Sequence, residues 1–182
     1  DGPVNPAGDA RIIDFTRGKL LPAVSTAVKK HSGYLTTFYG NSNRAKDRWA
    51  TYDGTPRFGT RARGIRGIVS VLTEAYKYAP YKDRVLCTRD FVHATLEFAA
   101  KNRDAIRSMI ADVRRDTIAA GLDPKPDDKV SIRCRIKELP EPIVIHGYVE
   151  KVPEGATGRR ARPRPTEEEK TYTMRHFGGY ES

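Results

Sequence analysis

Cysteine is scarce in this chain: Cys87 and Cys134 are the whole supply among 182 residues. Two thiols cannot build the disulfide framework that holds small secreted domains together, so a reducing compartment is expected. With His31, His93, His146 and His176 they offer none of the paired short intervals of a zinc site, and no metal is expected. The sequence also lacks a phosphate-binding G-x-x-x-x-G-K, a dinucleotide G-x-G-x-x-G and a nucleophile-elbow G-x-S-x-G. No acid, base and nucleophile can be assembled from it. The expectation is a non-enzymatic protein with no catalytic residues and no cofactor. Apolar residues are few, at 38% with a mean hydropathy of −0.63. No run approaches the ~20 apolar residues that cross a bilayer, so no membrane span is expected.

Acidic residues are the other shortage. Lys and Arg number 33 against 23 Asp and Glu, a formal charge of +10. Between Asn41 and Gly67 lie Arg44, Lys46, Arg48, Arg57, Arg61, Arg63 and Arg66, opposed only by Asp47 and Asp53. Seven cations against two anions place half of the net charge in this one run. Trp49, Tyr52 and Phe58 are interleaved with them. Guanidinium groups grip phosphate bidentately, and each phosphate neutralised releases condensed counterion. Aromatic faces add stacking on unpaired bases. The plain alternative is a solvated loop whose aromatics pack back on the core. A second basic element, Arg159, Arg160, Arg162 and Arg164, is spaced by Ala and Pro and suits an extended chain laid along a phosphate backbone. Arg133, Arg135 and Lys137 alternate with apolar residues and either meet phosphate or blunt an exposed strand edge.

The periodicity predicts a mainly α-helical fold: a small helical bundle with a C-terminal β-hairpin, an extended N-terminal arm and a C-terminal tail. Residues 1–10, rich in Pro, Gly, Asn and Asp, form the arm. Asp9 caps a first helix, which Pro22 kinks or divides and Gly33 ends. Residues 32–60 have no sustained period and read as a long irregular connection. A second helix fits 60–79, with Pro80 stopping it, and a third runs from an N-cap at Thr88 to Gly121. The helical domain spans 11–152 and includes the hairpin at 129–150, where KVSIRCRIK and IVIHGYV alternate on either side of ELPEP. Residues 153–182, with a basic block followed by an acidic one, form the tail.

These features together predict a nucleic-acid-binding structural component of a large assembly. A ribosomal or other ribonucleoprotein particle and a helical nucleocapsid coat both fit, with a mitochondrial compartment or a virion as the setting. The expected partners are RNA or another single-stranded nucleic acid and neighbouring protein subunits, identical copies among them. The alternative is a protein-interaction subunit of an organellar complex, its basic loop set on acidic partners.

Overall fold

Asp9 accepts the Arg11 main-chain N–H through its side chain at 2.8 Å, and the chain enters a helix there. The computed structural model describes residues 1–158 and 161–181. In it α1 (Ala10–Asp14) passes without interruption through a π-helical segment, Phe15–Leu20, into α2 (Leu21–Ser32). Pro22 therefore does not divide the helix. It sits in the first turn of α2, directly after the widened π-helical turns that absorb its missing N–H. Gly33, at φ 77°, closes α2 in the left-handed conformation that glycine adopts without penalty.

The expected second helix is cut short. α3 covers only Gly59–Ile65, and Gly67 turns out of it at φ 70°. The apolar run beyond it packs Val69 and Val71 against the helical core with no regular secondary structure. Leu72 exchanges two main-chain hydrogen bonds with Asp1, at 2.6 and 2.7 Å. The third helix begins before its expected cap. α4 runs Tyr81–Lys101, and the Thr88 hydroxyl donates back to the Arg84 carbonyl at 2.8 Å instead of capping a terminus. Asn102 then breaks the rod, its side-chain amide donating to the Phe98 carbonyl at 2.8 Å, and α5 follows as Arg103–Leu122. Leu20, Leu21, Val24 and Val28 meet Phe91 and Ala94 of α4 in the helical core.

The largest correction concerns the strands. The described chain is 40% helical and 19% strand, with four helical rods (α1 and α2 forming one) and a curled, four-stranded mixed sheet forming a half-barrel, so it is not the mainly α bundle with a hairpin that periodicity predicts. The sheet runs β1 (Asn41–Ser42), β2 (Arg48–Ala50), β5 (Arg164–Phe177), β4 (Ile143–Lys151). β2 lies parallel to β5, and the other two pairings are antiparallel. β3 (Arg135–Lys137) does not pair with β4 as a hairpin. It pairs antiparallel with β6 (Gly179–Glu181), Ile136 opposite Tyr180.

Much of the expected tail is thus the central strand of the sheet. Its composition hides this because only one face is covered. Met174 and His176 are buried beside Ile143 and Ile145, while Thr171, Thr173 and Arg175 face outward. The expected extended arm is also part of the interior, for Asp1 to Asn5 are all buried. Trp49, Tyr172 and Phe38 pack on the Ile143–Ile145–Met174 cluster, and Phe38 also touches the helical core, joining the two halves.

Candidate nucleic-acid interface

The basic run from Asn41 to Gly67 divides into three environments. Arg61 lies in the first, with a side chain that is 0% exposed. One terminal nitrogen donates to the Gly2 carbonyl at 2.7 Å. The other reaches the Asp1 carboxylate at 3.1 Å and the Tyr180 hydroxyl at 3.0 Å. Its guanidinium carbon stands 4.3 Å from the Tyr52 ring centroid, a cation–π geometry. Arg17 approaches the other oxygen of the same carboxylate at 3.0 Å. Burial, and then the positive charge of Arg61, hold the Arg17 guanidinium down to about 10. Two cations and one carboxylate therefore knot the first residues of the chain, α3 and β6 together. The sequence suggests Arg61 as a phosphate ligand, but its donors face the interior.

The second environment is aromatic. Tyr39, Tyr52, Phe58, Arg63 and Glu74 line an open cleft of about 320 Å³ together with Gly59, Thr60, Val71 and Leu72. Its rings are engaged with each other and with cations. Tyr52 packs on Phe58 at 4.2 Å and edge-on to Tyr39 at 5.4 Å, with Arg61 over its face. Arg57, itself exposed, lies 5.1 Å from the Phe58 centroid. Trp49 is half-buried on the sheet cluster and donates its indole N–H to the Phe38 carbonyl at 3.1 Å. These aromatics fill space inside the fold, as in the plain alternative weighed from sequence. Arg63 and Arg66 are exposed on α3 and at its end.

The third environment is an open groove of about 390 Å³ beside the β1–β2 turn. The turn is built by Asn43, whose side-chain oxygen accepts the main-chain N–H groups of Asp47 and Arg48 at 3.2 and 3.3 Å. Lys46 takes a left-handed φ of 58° to complete it. The turn presents Arg44 and Lys46 to the far end of the β4–β5 ladder, where Lys170, Tyr172, Glu150 and Pro163 form the opposite wall. Lys46 donates to Glu150 at 2.8 Å and to Ser42 at 3.0 Å. The Lys46 and Lys170 ammonium groups stand 5.8 and 5.2 Å from the Tyr172 ring centroid. Three basic side chains thus face one carboxylate in the lining. Arg162 and Arg164 are exposed on either side of Pro163, and Lys151 pairs with Arg164 across the ladder. Strand alternation turns Glu169 to the face opposite Lys170 and Tyr172, while the ladder is irregular just before it, between Pro165 and Glu169.

The remaining expected residues are dispersed. Arg48 is exposed on the sheet, 4.2 Å from the Phe177 centroid, with Arg175 at 5.1 Å from the same ring. Arg175 forks onto Glu138, which holds that carboxyl below the usual range. Arg159 and Arg160 lie outside the described residues. Sequence reading missed Lys170 and Lys151. The signal for Lys170 was its two-residue spacing from Tyr172, obscured by the preceding EEE. Among the described residues no three His, Cys, Asp or Glu side chains are grouped to hold a metal ion, and no helix is long and apolar enough to cross a membrane. No protein-family model, no curated protein and no solved structure matches the chain.

Proposed function

We propose that the protein is a non-enzymatic, nucleic-acid-binding component of a larger assembly that holds a phosphate backbone in the groove beside the β1–β2 turn. One observation carries this reading: Arg44 and Lys46, from the basic run, stand across the same groove from Lys170 and from Pro163, which the exposed Arg162 and Arg164 flank. Two basic elements far apart in sequence thus become one positive surface. The groove supplies charge without a shaped set of base-reading donors, which suits sequence-independent contact with RNA or another single strand. A ribonucleoprotein particle and a nucleocapsid both require that kind of contact. Because the aromatics are engaged internally, affinity rests on charge rather than on stacking.

The test is binding of a single-stranded RNA oligonucleotide across a range of salt concentrations. The logarithm of the affinity should fall linearly with the logarithm of salt, losing about 0.7 in slope for each phosphate contact removed. Replacing Arg44, Lys46, Arg164 and Lys170 together with Ala should flatten the slope by about 2–3 units. The reading fails if the protein shows no salt-dependent binding, or if the quadruple variant keeps the original slope.

A further inference from the structure

The strongest feature outside the groove lies on α4. Tyr81, Val85, Val92 and Leu96 are 79%, 47%, 47% and 64% exposed. At 3.6 residues per turn these four fall within about 60° of one another, as two pairs one turn apart within each pair, along about 22 Å of helix, with Thr88 and Arg89 between the pairs. The stripe lies far from the core-facing side, where Asp90, Phe91 and Ala94 are buried. Four large apolar groups aligned along four turns are not the scattered exposure of an ordinary surface.

The charges around the stripe say what it fits. Lys82 and Arg89 border it on one side and Arg84 on the other. Neither Lys82 nor Arg84 forms an ion pair with any described residue. All three carboxylates of α4 lie elsewhere, about 100° or more round the helix from the stripe's edge. Asp83 is half-buried and accepts the Tyr34 hydroxyl at 2.9 Å. Asp90 is buried and takes the Arg89 guanidinium at 2.6 Å. Glu97 stands 4.0 Å from His93. The helix thus presents an apolar face with cations on both flanks of its first half and its anions turned away.

We infer that α4 is a docking surface for an acidic amphipathic helix of a partner protein, whose apolar residues cover Tyr81, Val85, Val92 and Leu96 while its carboxylates meet Lys82 and Arg84. A second copy of this chain is the poorer occupant, because pairing α4 with itself sets cationic flanks against cationic flanks. RNA is poorer still, since it would leave the apolar seam wet. The surface is independent of the groove, so its failure leaves the nucleic-acid reading standing.

The experiment uses the full chain and two synthetic helical peptides of about 18 residues, the length that covers the stripe. Both carry Leu at alternating spacings of three and four; one has Glu at the flanking positions and the other Lys. Fluorescence anisotropy should show the Glu-flanked peptide binding about tenfold or more tightly than the Lys-flanked one. Val92→Ser with Leu96→Ser should weaken it about tenfold or more. Lys82→Glu with Arg84→Glu should reverse the preference between the peptides. These positions are exposed, and unchanged thermal melts would show that the variants fold. The inference is overturned if neither peptide binds, or if both bind equally and ignore the Ser substitutions. It is also overturned if sedimentation shows self-association that the Ser variant abolishes, which would assign the seam to a second copy.

Discussion

Arg61 and Arg44 belong to the same basic run, yet the fold uses them in opposite ways. Arg61 is sealed between Tyr52 and the Asp1 carboxylate, with its donors directed at Gly2 and Tyr180. Arg44 stands exposed on a turn, facing Lys170 across an open groove. The difference lies in backbone placement rather than in the side chain. Arg61 sits in α3, a helix pressed so closely on the first residues that a Cβ at Gly64 would lie 2.5 Å from Pro3. Arg44 sits in a hairpin turn that points away from both cores. An arginine-rich stretch therefore carries two kinds of information, and only burial separates the structural cation from the one available to a ligand.

The sharpest way to break this contrast is to remove Arg61. Arg61→Ala leaves the Asp1 carboxylate short of a buried partner and should cost roughly 3–5 kcal/mol of stability in urea unfolding. RNA affinity of the protein that remains folded should not change. A variant of normal stability with weakened RNA binding would put Arg61 in the interface after all. His176 gives a smaller effect, confined to one range of pH. Burial, and then the charge of Arg17, hold the folded imidazole below the ordinary 6.5. Under those conditions the unfolded chain binds the proton that the folded chain refuses. Stability is thus complete above 6.5 and falls as the pH drops from there toward the lowered folded value. Thermal melts between about pH 7.5 and 5.5 should show this loss, and His176→Gln should lessen it. A variant profile parallel to the wild type would remove His176 from the account. Arg44→Ala should have the smallest effect on stability, within about 0.5 kcal/mol, while lowering the salt slope of RNA binding by about 0.7. Loss of stability there would mean that the groove, too, is held together by its cations.

The first helix was legible in the sequence because its signals are local. The Asp9 cap, the stripe from Ile12 to Val28 and the glycine at 33 each act within a few residues. The strand at 164–177 was not legible, because nothing in RPTEEEKTYTMRHF marks it as central. Its partners are the neighbouring strand β4 and the three-residue β2, the latter brought in from far along the chain. The second helix failed for a related reason. The apolar positions from Ile65 onward fit a helical stripe, but Gly67 and the Val69–Val71 pair fit a non-helical path equally well, and the contact with Asp1 decided between them. At the candidate site, Arg44, Lys46 and Arg164 were named from composition, whereas Lys170 was lost in an acidic block. Trp49, Tyr52 and Phe58 were recognised as grouped aromatics, but their inward direction depends on Phe38, Arg61 and each other.

By itself the sequence determined the excess of positive charge, its concentration in two segments and the first helix, since each follows from neighbours a few residues apart. Only the tertiary structure decided which cations reach solvent, that residues 1–5 and the strand around Met174 and His176 enter the interior, and that Arg44 and Lys46 share a groove with Lys170. Those outcomes depend on long-range strand pairing and on the burial of Asp1 against Arg61. Both are stabilised by partners that no local window of sequence contains.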